Sequence, residues 1–374
     1  MTEVLKIDLG LGDEPKNHRV VVAMSGGVDS SVTAALLAES GYEVIGITLQ
    51  LYDDGVAKNK PNSCCAGQDI HDARRIASHI GIPHYVLNYQ DLFKEAVIDD
   101  FADSYLRGET PLPCVRCNER VKFQDLLTAS KDLGAEALVT GHYIRRYEGP
   151  SGPELHAAID PIRDQSYFLF ATKQSQLSDL RFPLGEFPKT VIREQAERLG
   201  LSVAKKPDSQ DICFVPGGNY REVIEKLRPG ACDPGVIINS NGEQIGKHQG
   251  TINFTIGQRK GLGVSASEPL YVTRIDSEKN IVFVGNKNEL LANRILVEDV
   301  NWLAKDDLAE NKTITVRIRS THEGSTAKIN WLNSNVFEVF LDHSELATSA
   351  GQGCVVYDNS RLLGGGWITN MGRC

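Results

Sequence analysis

The sequence predicts an α/β protein: a doubly wound parallel sheet, then a small β-rich central domain, then a C-terminal β-barrel or sandwich. Three observations carry this. Up to about residue 210, short β-branched runs alternate with amphipathic segments, as a parallel sheet with helical crossovers requires. Beyond that point the texture turns to short alternating strands broken by turn residues. And 374 residues suffice to bury two or three cores.

Taken in order, residues 1–18 read as a polar leader. Val20-Val21-Val22-Ala23 is a buried strand, followed by helical spacing at Val28, Val32, Ala35 and Leu36 that Gly41 stops. Glu43 to Leu51 is strand-like, Asp69 to Ile80 a helix ending at Gly81, and His84 to Leu87 a strand. A helical stretch from Asp91 to Arg107 leads to a proline-rich loop, TPLPCVRCN, and a helix from Glu119 to Leu133 precedes the strand Ala137–Thr140. Tyr220 to Leu227 is the last helix. GVIINSNGEQIG, turning at Asn-Gly, LYVTRIDSEKNIVFVG, TITVRIR, VFEVFL and GCVVYDNSRLLGGG follow as strands. Domain boundaries are expected at 19–212, 213–288 and 289–374.

Composition is that of a globular protein, 41% hydrophobic and 24% charged. No apolar run is long enough to span a bilayer, and the N-terminus lacks the pattern of a secretory signal. A cytoplasmic location without membrane association is the expectation. Eight cysteines are too few for a disulfide scaffold. A net charge of −9 argues against nucleic-acid binding by itself. Local basic clusters argue the other way: Arg116/Arg120/Lys122, Arg145/Arg146, Lys205/Lys206, Arg259/Lys260 and Arg317/Arg319.

The stretch SGGVDSS, residues 25–31, lies where a strand ends and a helix begins, so its backbone amides form a helix-terminal anion site. Gly26 and Gly27 permit close backbone approach, Ser25, Ser30 and Ser31 add hydroxyls, and Asp29 offers a carboxylate to Mg²⁺. No lysine follows the glycines, so this is not the GxxxxGK[ST] phosphate loop. SGGVDSS resembles the pyrophosphate-binding loop of the N-type ATP pyrophosphatases, which cleave ATP between the α and β phosphates and leave adenylate on the substrate.

The cysteines narrow the choice. Cys117 is expected at the mouth of a helix starting near Asn118, with Arg116 and Arg120 lowering its pKa. Cys213 sits in the polar stretch KKPDSQDICFV. Two readings stand side by side: a reactive thiol pair, or Cys114, Cys117 and Cys213 as three ligands of an iron–sulfur cluster. Cys64-Cys65 reads as packing or capping the second helix. Thr140-Gly141-His142-Tyr143 follows a strand and borders the same crevice as SGGVDSS. His142 and Asp164–Tyr167 read equally as structural or as site residues. Gly257–Gly261 (GQRKG) is read as a phosphate-backbone contact, and Gly364–Gly366 as a bulge or close-packing point.

From residue 20 to about 369 the chain resembles the bacterial tRNA-specific 2-thiouridylases. The matching stretches are AMSGGVDS, TPLPCVRCNERVKF, VTGHY, RDQSYFLF, KPDSQDICFV, GKHQGTINFTIGQRKGLGV and SAGQGCVVYDNSRLLGGG. The resemblance implies ATP-dependent, Mg²⁺-assisted replacement of oxygen by sulfur at carbon 2 of the wobble uridine, in tRNAs for Lys, Glu and Gln. It implies that Ala23, Met24, Ser25, Gly26, Gly27, Val28, Asp29, Ser30, Leu49 and Gly141 hold ATP. Cys117 is then the nucleophile and Cys213 the persulfide carrier, the two ending as a transient disulfide. Leu112, Pro113, Cys114, His142, Arg163, Asp164, Gln165, Arg319, Ser320 and Gln352 are expected to touch tRNA. A cysteine desulfurase or a sulfur-relay protein supplies the sulfur. The resemblance also makes the last domain a β-barrel and gives the two β-rich domains a grip on the tRNA. Many members carry aspartate where this chain has Cys114, so a thiol stands where proton transfer is expected. The competing readings are an iron–sulfur version of the same reaction, a small-molecule adenylating ligase, and a non-catalytic RNA-binding protein.

Overall fold

A computed structural model describes residues 4–52, 66–208, 212–305, 308–309 and 312–372. Cys64, Cys65, Cys374 and the Ser209–Asp211 part of KKPDSQDICFV lie outside the described residues. The chain forms two compact units: residues 1–96, 114–218 and 360–362, and residues 97–113, 219–359 and 363–374.

The first unit is built on strands β1 (Arg19–Ala23), β2 (Glu43–Gln50), β3 (His84–Asn88), β4 (Ala137–Thr140) and, further along, β7 (Leu180–Arg181). They make one parallel sheet in the order β3-β2-β1-β4-β7. Val20, Val21 and Val22 are wholly buried because β1 lies at the centre, with strands on both edges and helices on both faces. Helix α1 (Val28–Glu39) packs Val32, Leu36 and Leu37 at zero exposure, and each such side chain contributes about 1.5–3 kcal/mol by leaving water. Gly41 and Gly81 follow α1 and α2 (Ala66–Ile80) with φ of 100° and 76°, the left-handed stops the sequence announces. The N-terminal segment, read as a polar leader, buries Ile7 and Leu9 in this core. Its backbone amides donate to Ser40 Oγ and the Tyr42 hydroxyl.

The strand order reverses beside β1, which is where doubly wound sheets open their ligand crevice. Ala23 pairs with Ile47 on one side and Thr140 on the other, so the segments leaving β1 and β4 meet at one carboxyl end. An antiparallel hairpin of β5 (Ile144–Gly149) and β6 (Gly152–Ala157), absent from the sequence reading, belongs to this unit, with Arg361 and Leu362 paired against β6.

Two expected elements differ. The helical stretch after β3 is realised as Gln90–Phe93, a π-helical Lys94–Asp99 and Asp100–Leu106. The TPLPCVRCN loop is helical from Pro113: Pro113–Arg116 is α-helical and Cys117–Lys122 is a π-helix. Proline favours the first turn, where its missing N–H costs nothing. The helix therefore starts four residues before Cys117, which is not at its mouth.

In the second unit β8 (Pro234–Ile238), β9 (Gln244–Gln249), β10 (Tyr271–Asp276) and β11 (Ile281–Gly285) form a sheet in the order β10-β11-β8-β9. Asn241-Gly242 turns β8 into β9, with Gly242 at φ 82°. Then β12 (Leu291–Trp302), β13 (Ile314–Arg317), β14 (Ser325–Asn333), β15 (Val336–Leu346), β16 (Gly353–Asp358) and β17 (Arg361–Gly372) run in the order β12-β15-β14-β13-β16-β17. Pairing of β12 with β17 closes the ring. The last domain is therefore a barrel and not an open sandwich. Its interior holds Ile295, Val297, Val316, Phe337, Val339 and Val356. A Cβ on Gly364 or Gly366 would lie 2.5–2.6 Å from carbonyls of β12, so the triple glycine is a close-packing point at the seam.

Candidate active site

Met24 is anchored on both sides of its peptide: its N–H donates to Ile47 O at 2.8 Å and its carbonyl accepts from Thr48 Oγ1 at 2.7 Å. The loop then turns through Gly26 at φ 72°, where a Cβ would sit 2.2 Å from the carbonyl oxygen of Asp69. Only glycine fits there. Ser25 N–H donates to Ser30 Oγ at 3.0 Å, folding the loop over the first turn of α1. Gly27 is the N-cap and brings no side chain to the leading amides of α1. Those amides and the helix dipole favour an anion. Gly141 closes one wall: a Cβ on it would lie 2.9 Å from Ser30 N and 3.0 Å from the Asp29 carbonyl carbon. Leu49, half-buried on β2, lies two residues past Ile47 at the same sheet end.

A charge network that sequence reasoning missed underlies this loop. Lys189, with only 8% of its side chain exposed, sits 2.7 Å from both carboxylate oxygens of Asp29 and 2.9 Å from Asp208. The Tyr143 hydroxyl donates to Asp29 Oδ1 at 2.8 Å. Asp208 also meets Arg193 at 2.8 Å and Arg163 at 2.9 Å. Burial alone would raise the Asp208 carboxyl, but Lys189, Arg163 and Arg193 outweigh it and hold it below its usual value. Lys206 donates to Gly26 O, Asp69 and Asp72 at 3.0, 2.7 and 2.8 Å, tying α2 to the loop. One cue was legible: Lys189 falls in the apolar register of Ile192 and Ala196, where a cation needs a buried partner.

This bears on Mg²⁺. The loop's one carboxylate is already neutralised by Lys189, and among the described residues no group of three His, Cys, Asp or Glu side chains is arranged to hold a metal ion. The residues present do not fit a protein-held magnesium site.

Cys114 and Cys213 reach solvent, Cys117 is buried, and all three are free thiols. They share one neighbourhood: negative charge on Cys114 acts on Cys117, and charge on either acts on Cys213. The fold thus joins the two cysteine motifs. Phe214 and Val215, buried at 5% and 2% exposure, anchor the segment carrying Cys213, and Phe214 meets Phe93 edge-on at 5.7 Å. Desolvation pushes all three thiols up, Cys213 to about 12. The expected lowering by Arg116 and Arg120 does not occur. Glu119 takes both guanidinium groups, Arg116 at 3.1 Å and Arg120 at 3.8 Å, and Cys117 lies beyond the first helical turn. The cation that does oppose the rise is Lys122. Among the described residues, Cys114, Cys117 and Cys213 do not form a group arranged to hold a metal ion.

His142 follows Gly141, which packs on the nucleotide loop. Its Nδ1 meets Thr140 Oγ1 at 2.8 Å, its ring packs edge-on against Phe123 and Phe182, and burial, aided by the Lys122 charge, pushes its pKa down to about 3. It is a neutral ring at any ordinary pH. Asp164 and Gln165 shape a turn: Asp164 accepts from the amides of Ala158 and Ser166, and Gln165 Oε1 from Tyr143 N–H.

In the second unit, Gln352 donates to Thr110 O at 2.8 Å and is largely buried, while Leu112 and Arg319 are half-buried and Ser320 is exposed. Pro113 is buried. Arg259 and Lys260 are exposed between Gly257 and Gly261, both at positive φ.

Comparison with known proteins agrees with this architecture. Residues 18–217 match the family model described as tRNA methyl transferase HUP domain, 221–286 the tRNA methyl transferase PRC-barrel domain, and 292–368 the aminomethyltransferase beta-barrel domain. The tRNA-specific 2-thiouridylase MnmA of Rhodospirillum centenum is 55% identical over 368 residues, covering 96% of this chain and 94% of the relative. That of Rickettsia bellii is 56% identical over 362 residues, covering 96% and 98%. With a loop built for an anion, two cysteine motifs brought together and near full-length likeness, the chain belongs to the family of tRNA-specific 2-thiouridylases.

Proposed function

We propose that this protein, an ATP-using tRNA sulfurtransferase by family, replaces the 2-oxo oxygen of the wobble uridine in tRNAs for Lys, Glu and Gln with sulfur. The observation that supports the reading is that Cys117 and Cys213 act on each other, in the unit whose Gly141 packs on the anion loop.

The α1 amides and loop residues 23–30 hold the ATP phosphates, with Leu49 and Gly141 beside the nucleotide. Magnesium, if bound, would be held by those phosphates and not by protein side chains, and would supply charge neutralisation there. The uridine 2-oxygen attacks the α-phosphorus, pyrophosphate leaves, and the poor leaving group becomes AMP. Cys213 carries a persulfide from a cysteine desulfurase or a relay protein. The Cys117 thiolate attacks Sγ of that persulfide, a Cys117–Cys213 disulfide forms, and hydrosulfide departs. Hydrosulfide adds at carbon 2 and AMP leaves with the bonding pair. The sulfane sulfur is reduced by two electrons as the two cysteines are oxidised, and two external thiols restore the dithiol. The target base leaves its stack to reach this crevice, with Leu112, Pro113, Cys114 and His142 beside it. Arg163, Arg319, Ser320 and Gln352 contribute on the tRNA side, Asp164 and Gln165 by shaping the turn.

The test is thiolation of unmodified tRNA-Glu transcript by metal-stripped protein given ATP, Mg²⁺ and a persulfide-generating desulfurase, read by retardation in a mercury-containing gel. Wild type and Cys114→Ser are expected to give product, Cys117→Ser and Cys213→Ser none. Activity that returns only with anaerobic iron and sulfide, and is lost in all three variants, overturns the persulfide route.

A further inference from the structure

The segment around Cys117 carries three cations, and the structure separates them. Arg116 and Arg120 are bound to Glu119, and Arg120 also donates to Ala96 O at 3.1 Å. Lys122 has no carboxylate within ion-pair distance among the described residues. Its direction is set by an unusual turn. In an α-helix residues i and i+5 point about 140° apart. Here Cys117–Lys122 is π-helical, with Phe123 N–H donating to Asn118 O at 2.9 Å, a bond across five residues. A turn of that width leaves residues i and i+5 closer to one face than an α-turn does, which sets Lys122 towards the side of Cys117, and such turns recur at functional sites. Asn118 pins it by donating to Phe168 O at 3.2 Å, and Phe123 closes it as a wholly buried ring. The charge of Lys122 acts on Cys114, Cys117, Cys213 and His142, and His142 is neutral. Among the described residues, the charges acting on the thiols are thus their own and that of the Lys122 ammonium, which no described carboxylate pairs.

We infer that Lys122 is the positioning residue of sulfur transfer: the π-turn aims its ammonium at the three-thiol cluster, where it stabilises negative charge as it forms on sulfur. This rests on the sulfur-transfer reading above for its purpose, but not for its test. A fixed charge in a water-poor site acts most strongly where charge develops during reaction.

The experiment measures local potential directly, without ATP, tRNA or sulfur donor. The full-length protein is alkylated with iodoacetate, which is anionic, and with iodoacetamide, which is neutral. Rates at Cys213 and Cys117 are read by peptide mass spectrometry. Cys232, whose charged neighbours are Arg221 and Glu225, is the internal control. In Lys122→Met the iodoacetate-to-iodoacetamide rate ratio should fall about fivefold to tenfold at Cys213 and Cys117, with Cys232 unchanged. Lys122→Arg should restore it, which a purely structural role would not do. In the wild type alone the ratio at Cys213 should also fall as salt screens the ammonium. That measurement needs no variant to fold. A ratio unmoved in Lys122→Met with a native Cys232 rate, or a wild-type ratio flat in salt, overturns the inference. Failure of the tRNA assay with a shifted ratio counts against the sulfur-transfer reading and leaves the role of Lys122 standing.

Discussion

Lys189→Met isolates the buried network beneath the nucleotide loop. The ammonium exposes 8% of its side chain, against 30% for Asp29 and 16% for Asp208. Removing one partner of a buried pair costs about 3–5 kcal/mol because the other charge is left uncompensated, whereas an exposed pair is worth about 0–1 kcal/mol. Asp208 keeps Arg163 and Arg193, and Asp29 keeps the Tyr143 hydroxyl and partial solvent access. The loss should therefore fall between the limits, near 2–3 kcal/mol. Asp29→Asn, which keeps an acceptor for Tyr143 but loses the charge, should cost a similar amount. The double variant should cost much less than the sum, since the orphaned carboxylate is then gone. The assay is urea unfolding read by amide hydrogen exchange in residues 19–23 and 43–50, which belong to the same unit. Strict additivity of the two single losses would refute the argument that Lys189 stabilises through Asp29.

Three further outcomes follow from the same structure. Gly26→Ala places a methyl 2.2 Å from the Asp69 carbonyl at φ 72°, so calorimetry should show ATP binding lost with secondary structure retained. Because His142 has its pKa pushed down to about 3, the unfolded chain takes up the proton first, near its usual value of about 6.5. Stability of the first unit should be full above that pH and fall steadily from about pH 6.5 towards 3, a slope that His142→Asn should flatten in pH-dependent urea midpoints. Phe337→Ala should cost the barrel about 3–5 kcal/mol, since Phe337 has zero exposure and meets Trp331 at 5.2 Å and Trp302 at 6.0 Å. Tryptophan fluorescence should report the loss, and an unchanged unfolding midpoint would refute it.

Where local chemistry and packing agree, the sequence was legible. β1 has three valines in a row, α1 has its apolar spacing, and Gly41 both stops the helix and adopts positive φ. The hairpin Ile144–Ala157 was not, because neither strand alternates cleanly and its Arg146 and Glu154 are held by partners distant in the chain, Leu177 O and Arg361. Pro113 misled for a physical reason: proline ends helices in their interiors and starts them at the first turn, and its neighbours Thr110-Pro111-Leu112 favoured the former. Within the site, SGGVDSS and the two cysteine motifs announced themselves. Which cation serves the thiols did not, because Arg116, Arg120 and Lys122 look equivalent until Glu119 claims two and the π-turn redirects the third.

The N-terminal unit includes residues 360–362, with Arg361 and Leu362 paired to β6. On the ribosome, that edge of the β5–β6 hairpin waits until residues 360–362, some two hundred positions later, have been made. Until then it presents unpaired N–H and C=O groups of the kind that recruit foreign strands. A truncation ending before Ser360 would leave that edge open permanently, and no single cut separates the two units as intact pieces. Synthesis of residues 360–362 is thus the step that covers this edge of the N-terminal unit against aggregation.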